Sequence, residues 1–329
     1  MKKLIKTIIL AVVCLMLIIF TFDFISDVFG GSGTEVDISV PDGATGGQVA
    51  QLLKEEGAVE HPTFFKIYST LTGSNTKYRS GDFAVNTGDS YAKILKIMTG
   101  NPNSGKNTVK ITIPEGFEVE RIADAFDKAG VTPREEFLAA ASTDEYDFEF
   151  LKDIKNKSQR KYVLEGYLFP DTYTFSKNTP AKTVVETMLK EFEQVMSKYP
   201  TDNIDQTVIL ASIIEREALG DSDRHKVSSV FHNRLNRSDY LSRLQSCATV
   251  QYILGERKAV LSEADTQIES PYNTYIHPGL PAGPIANPGE AAIEAALNPA
   301  ETEYLYFGLN KNGEHAFSKT YEEHLRLTR

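Results

Sequence analysis

Cysteine, histidine and positive charge are all scarce in this sequence, and each shortage removes a class of explanation. Only two cysteines occur, Cys14 inside an apolar run and Cys247 far downstream. They cannot plausibly meet, so no disulfide staples the fold. No small-residue motif precedes Cys14, which makes a lipid-modified cysteine a weak alternative. The six histidines are scattered, and with the two cysteines they form no close-spaced ligand set, so neither a metal nor any other cofactor is expected. Acidic residues outnumber basic ones, 45 to 35, giving a formal net charge of −10. Nucleic-acid affinity comes largely from Lys and Arg displacing counterions, so a nucleic-acid partner is excluded.

What is present points to a folded chain behind a membrane anchor. Hydrophobic residues make up 41% of the 329, with 18 Phe and 15 Tyr, more than a disordered chain carries. Lys2, Lys3 and Lys6 precede an almost unbroken apolar run from Thr7 to Phe22, closed by Asp23 and Asp27. This predicts a cytoplasmic N-terminus at 1–6, a single transmembrane helix at 7–24 in the lipid bilayer, and an extracytoplasmic remainder at the cell membrane. A cleaved signal peptide is the competing reading, but bulky residues fill Thr21 to Phe29 where a small-x-small site belongs. Gly30-Gly-Ser-Gly reads as part of a flexible tether over 25–35.

An internal similarity follows. Pro41-Asp-Gly, Gln48-Val-Ala-Gln-Leu-Leu-Lys-Glu-Glu-Gly and Phe64 are echoed by Pro114-Glu-Gly, Arg121-Ile-Ala-Asp-Ala-Phe-Asp-Lys-Ala-Gly and Phe137. Each copy predicts a short strand, a turn and an amphipathic helix stopped by Gly57 or Gly130. Between them Gly81 to Val85 reads as a strand, and Ser90 caps a helix over Tyr91 to Met98. Residues 36–142 thus form a paired β-turn-α region, whose first part resembles the small βααβ sugar-binding modules of the LysM type in arrangement. The charged stretch 143–163 reads as a connector or exposed helix. From 164 to 329 the texture predicts a larger α+β domain: helices over Ala181 to Lys198 and Gln206 to Leu219, then strands at Tyr304 to Leu309 and His315 to Ser318 joined by Asn310-Lys-Asn-Gly. The expected fold class is α+β.

The chemistry centres on the second of those helices. Val208 to Ile214 is apolar but for Ser212, the pattern of a buried helix, and it ends at Glu215-Arg-Glu217. A carboxyl there is partly desolvated, which favours its protonated form and suits a general acid. Periodicity does not choose between the two: Glu215 shares a face with Ala211 and Val208, and Glu217 with Leu210, Ile213 and Ile214. A surface ion pair with Arg216 or Arg224 is the plain alternative for either acid. Downstream loops mix amides, hydroxyls and aromatic rings with Gly and Pro, a mixture that also suits sugar binding.

The segments Leu164-Glu-Gly-Tyr-Leu-Phe-Pro-Asp-Thr-Tyr, Ala211-Ser-Ile-Ile-Glu-Arg-Glu, Val230-Phe-His-Asn-Arg-Leu, Gln245 with Thr249-Val and Tyr252, Tyr272-Asn-Thr-Tyr with Gly279-Leu-Pro, and Asn298-Pro-Ala together carry a resemblance. From Leu164 onward the chain resembles the endolytic murein transglycosylase family, also called YceG-like. The resemblance implies an endolytic lyase that cuts nascent peptidoglycan strands between N-acetylmuramic acid and N-acetylglucosamine, leaving 1,6-anhydro ends and terminating elongation. It implies Glu215 as the catalytic acid, with Glu217 as second choice. Glu165, Tyr167, Asn233, Arg234, Gln245, Thr249, Tyr252, Asn273 and Tyr275 become candidates for holding substrate, Glu165 being the favoured second carboxyl. Penicillin-binding synthases are the expected protein partners. A departure is Ser246-Cys-Ala, where some members carry an acidic residue before the Thr-Val pair. Two rivals are a noncatalytic peptidoglycan-binding scaffold and a pyridoxal-phosphate lyase, for which the sequence offers neither an evident buried Lys nor a phosphate cradle.

Overall fold

The computed structural model describes residues 30–100, 102 and 108–328. The expected cytoplasmic residues 1–6 and membrane span 7–24 lie outside that range. Among the described residues no helix is long and apolar enough to cross a membrane. The chain is α+β and divides into two compact units, one ending at Thr108 and one starting at Val109.

In the first unit β1 (Glu35–Val40) is followed by α1 (Gly46–Glu55), α2 (Pro62–Leu71), β2 (Gly81–Asn86) and α3 (Tyr91–Met98). The strands pair antiparallel, Ile38 opposite Phe83 and Val36 opposite Val85, so alternate residues reach one face. Ile38, Val40, Phe83 and Val85 bury that face against Val49, Leu53, Phe65, Tyr91 and Ile94. Local signals set the helix ends as expected. Thr45 and Gln48 form a capping box, Ser90 accepts from the Lys93 amide, and Gly57 turns left-handed at φ 72°. The segment expected as a loose tether behaves otherwise from Gly31 on. The Gly31 amide donates to the Gly88 carbonyl at 2.7 Å and the Thr87 amide to that of Thr34 at 2.8 Å. Glycine permits this approach, because a Cβ on Gly33 would lie 2.1 Å from the Gly88 nitrogen.

The second unit runs β3 (Thr108–Thr112), α4 (Val119–Lys128), α5 (Arg134–Ala141), β4 (Thr172–Ser176), α6 (Ala181–Met196), α7 (Ile204–Glu217), α8 (Asp221–Leu235), α9 (Cys247–Leu254), α10 (Glu263–Thr266), α11 (Glu290–Leu297), β5 (Tyr306–Leu309), β6 (His315–Ser318) and α12 (Tyr321–Thr328). The paired β-turn-α region is therefore split between the two units. The second copy joins the larger core, because α4 packs Val119, Ile122 and Phe126 with Leu164, Tyr167 and the residues of α7. Nor is 143–163 a mere connector. It carries two short 3-10 turns, buries Phe150, Leu151 and Ile154, and sends Arg160 inward to Asp205.

α7 is the axle of this unit. Every residue from Thr207 to Ile214 is buried, as the all-round apolar pattern requires. Its mid-helix polar residue is satisfied: the Ser212 hydroxyl donates to the Ile209 carbonyl at 2.7 Å and accepts from the Ile285 amide at 3.1 Å. α8, α9 and α11 pack around it. The β5–β6 hairpin forms where expected, Phe307 opposite Phe317, with Asn310 accepting the amides of Asn312 and Glu314 and Gly313 at φ 78°. α12 then folds back over both strands.

Candidate active site

Residues two positions apart on an α-helix are turned by about 200° from each other. Glu215 and Glu217, at the C-terminal end of α7, therefore leave the helix on different sides. The structure separates them. Glu215 lies against the loop before α11, where its Oε2 accepts from the Gly289 amide at 3.1 Å. The Arg224 guanidinium stands 3.9 Å from Oε1 and the Glu215 side chain is only 9% exposed. Burial pushes this carboxyl above its usual range and the charge of Glu115 adds to the rise, while the Gly289 amide and Arg224 oppose it. The elevation anticipated for a general acid is thus present at Glu215.

Glu217 instead lines an open cleft of about 670 Å³, whose lining does not include Glu215. Its Oε1 accepts from the Ser246 hydroxyl at 2.5 Å and from the Ala248 amide at 3.2 Å, both at the start of α9. These two donors fix the carboxyl at the cleft wall. Gln245 sits beside it with the left-handed φ of 52°, a conformation that costs a residue with a Cβ and that aims its exposed side chain at the cleft lining. Tyr275 lines the same space, its hydroxyl 3.0 Å from the sulfur of Cys247. Arg234 completes that side: its Nε donates to the Leu305 carbonyl at 2.7 Å, and its guanidinium lies 5.3 Å from the ring centroid of Tyr306. The opposite wall is the β5–β6 hairpin and α12. Among the described residues no three His, Cys, Asp or Glu side chains are grouped to hold a metal ion.

The remaining candidates from the sequence sit inside the scaffold. Glu165 is 1% exposed and accepts from the Val119 amide at 3.1 Å, the Tyr252 hydroxyl at 3.2 Å and the Asn287 amide group at 2.9 Å. It holds the start of α4 rather than facing a substrate, and burial pushes it up to about 8 against the pull of its donors. Tyr167 is buried with its hydroxyl on Asp205 at 2.6 Å. Asn273 gives its amide hydrogens to the Thr266 and Ile268 carbonyls, and Thr249 donates to the Ser246 carbonyl. Asn233 ties α8 to the strand region through the carbonyls of Thr302 and Tyr304, both at 2.9 Å. Of the substrate-binding candidates, then, Arg234, Gln245 and Tyr275 line the cleft with Glu217, whereas Glu165, Tyr167, Asn233, Thr249, Tyr252 and Asn273 do not line it and bond within the scaffold.

Sequence reasoning passed over Asn287. Its Oδ1 accepts from the amides of Gly166 and Leu168, and its Nδ2 donates to Glu165 and to the Phe117 carbonyl. Four bonds on one side chain, three of them fully buried, join three segments. The only trace in the sequence is an Asn held before a Pro in an otherwise apolar loop.

Comparison with known proteins agrees with this architecture. The family described as YceG-like matches residues 38–329. The Bacillus subtilis (strain 168) protein named endolytic murein transglycosylase is 33% identical over 308 residues, 89% of this chain and 84% of that protein. A Streptococcus pneumoniae (serotype 2) protein of the same name is 28% identical across 93% of this chain, which spans 60% of its length. The 2.6 Å crystal structure of a YceG-like protein from Listeria monocytogenes aligns with a TM-score of 0.59 at 31% identity, covering 90% of this chain and 100% of that one. With a family match along nearly the whole described chain and a relative this similar over most of both lengths, the chain belongs to the YceG-like family.

Proposed function

We propose that this chain is an endolytic peptidoglycan lytic transglycosylase in which Glu217, not Glu215, is the acid. The observation that carries the assignment is that Glu217 is the carboxyl fixed in the cleft with Gln245, Tyr275 and Arg234, while Glu215 is spent on Gly289 and Arg224. The relatives' name supplies the reaction class.

In the proposed mechanism the Glu217 carboxyl protonates the oxygen joining N-acetylmuramic acid to N-acetylglucosamine, and positive charge builds at the anomeric carbon. The bond to the leaving sugar breaks. Glu217, now a carboxylate, takes the proton of the same muramyl residue's 6-hydroxyl as that oxygen attacks the anomeric carbon. The proton count closes, the product carries a 1,6-anhydro ring, and no water is consumed. One carboxyl suffices because the nucleophile is already on the substrate at high effective concentration. That removes the need for Glu165 as a partner acid. Ser246 and Ala248 orient the carboxyl, and Gln245 and Tyr275 address the sugar hydroxyls.

The finer placement belongs to the same proposal. An N-terminal anchor at 7–24 with an extracytoplasmic catalytic unit is supported by Lys2, Lys3, Lys6 and the apolar run. The β1-α1-α2-β2 order of the first unit supports a LysM-like role in holding glycan. A substrate of nascent strands would bring the protein beside penicillin-binding synthases. Digestion of isolated sacculi by the full-length chain in detergent, read by mass spectrometry, tests the reaction: internal 1,6-anhydro ends are expected. Reducing ends would make the protein a hydrolase, and intact sacculi that still bind it would make it a scaffold.

A further inference from the structure

The wall opposite Glu217 holds a second feature that the proposed chemistry does not use. Tyr306 of β5 and His324 of α12 stack with ring centroids 5.7 Å apart and planes 28° from parallel. Tyr321, at the start of α12, lies over the same imidazole at 6.2 Å and 27°, and 5.9 Å from Tyr306. All three line the cleft. α12 is seated closely enough to hold them there, since a Cβ on Gly308 would come within 2.9 Å of the His324 ring.

Plain packing does not account for this cluster. Tyr321 is 57% exposed, so its ring contributes little to the core. His324 Nδ1 is buried and accepts or donates nothing in the protein. Burial and the nearby Arg234 charge both push its imidazole below the usual range, which favours a neutral, stackable ring. The Arg234 guanidinium also lies over the Tyr306 ring, 5.3 Å from its centroid. The result is an aromatic cluster on the cleft wall, with the His324 ring 27–28° from the plane of either tyrosine and the two tyrosines tilted 48° to each other. Aromatic faces of this kind suit the C–H face of a pyranose.

We infer that Tyr306, His324 and Tyr321 form a stacking subsite for one pyranose ring of the bound strand, a ring other than the one attacked at Glu217. The inference rests on the proposed glycan substrate and assigns the C-terminal hairpin and helix to substrate affinity. Tyr321 is then a positioning residue: it holds the strand and takes no part in proton transfer.

The test uses the full-length chain in detergent with soluble, uncross-linked glycan strands. Tyr321→Ala is expected to raise KM about tenfold, the scale of one well-formed ring contact, with kcat within about twofold of wild type. Tyr321→Phe keeps the ring and is expected to match wild type. The sequence contains no tryptophan. Tyr321→Trp in a Glu217→Gln background therefore gives a lone reporter, whose emission is expected to shift saturably as strands are added. An unchanged KM in Tyr321→Ala, or an unmoved emission while co-sedimentation shows strands bound, would overturn the subsite. A shifting emission in a protein whose wild type makes no anhydro ends would keep the subsite and remove the transglycosylase reading.

Discussion

Replacing Glu165 by glutamine should abolish a pH-dependent weakness in the second unit. In the folded chain this carboxyl keeps its proton up to about 8, against an ordinary value of 4.5. The folded state therefore binds one more proton than the unfolded chain between those values. The stability tied to that proton is fully present below about 4.5 and is lost as pH rises through 8. Each pH unit in the window is worth about 1.4 kcal/mol, so from pH 6 to pH 8 the wild type should lose about 2–3 kcal/mol through Glu165 alone. For a unit of this size that is a fall in Tm of roughly 5–10 °C. Glutamine is neutral at every pH, keeps one oxygen for Val119 and Asn287, and lets the Tyr252 hydroxyl turn and accept. Calorimetry at pH 5, 6, 7 and 8 on both proteins is the assay. The two Tm values should differ least at pH 5 and diverge steadily up to pH 8, with Glu165→Gln the more stable. Parallel curves would refute the reasoning, because they would mean that the three donors outweigh burial and the folded carboxyl is already ionised.

Two further perturbations probe the scaffold and the cleft. Asp205 receives the Arg160 guanidinium at 2.6 Å, the Tyr167 hydroxyl at 2.6 Å and the Lys155 amide at 3.1 Å, so Asp205→Asn strands a buried cation and should cost about 3–5 kcal/mol in a urea unfolding series. Gln245→Gly relieves the left-handed backbone and should raise stability by about 0.5–1 kcal/mol, yet lower the rate of anhydro-end formation at least about fivefold because the side chain that addresses the sugar is gone. A Tm that falls, or a rate that holds, would contradict that pairing.

The features legible in the sequence were those decided within a few residues. The Ser90 cap, the Gly57 and Gly130 stops, the Asn310 to Gly313 turn and the buried character of Val208 to Ile214 all come from local backbone chemistry, and each is present. The motif around Glu215 and Glu217 pointed to the helix end at which one acid, Glu217, lines a cleft. Which acid lines the cleft was not legible, because both have buried neighbours one turn back, Ala211 and Ser212 behind Glu215, Ile213 and Ile214 behind Glu217. The choice is made by the hairpin and α12, which come some hundred residues later and wall the cleft on the Glu217 side. The buried position of Glu165 was hidden for a similar reason. Its partners Val119, Tyr252 and Asn287 are 46, 87 and 122 residues away, so nothing local distinguishes a buried helix anchor from a second catalytic carboxyl. The connector was misjudged because its charges are local, while the pocket that takes Phe150 and Arg160 is built by α6 and α7.

The central claim is that the cleft-facing acid of the α7 end does the chemistry. The rate of 1,6-anhydro end formation from sacculi, measured side by side for Glu217→Gln and Glu215→Gln with both variants shown to be folded by calorimetry, tests it most directly. A loss of at least about a hundredfold is expected for Glu217→Gln and a rate within about tenfold of wild type for Glu215→Gln. The reverse pattern, an active Glu217→Gln beside an inert but folded Glu215→Gln, would contradict it.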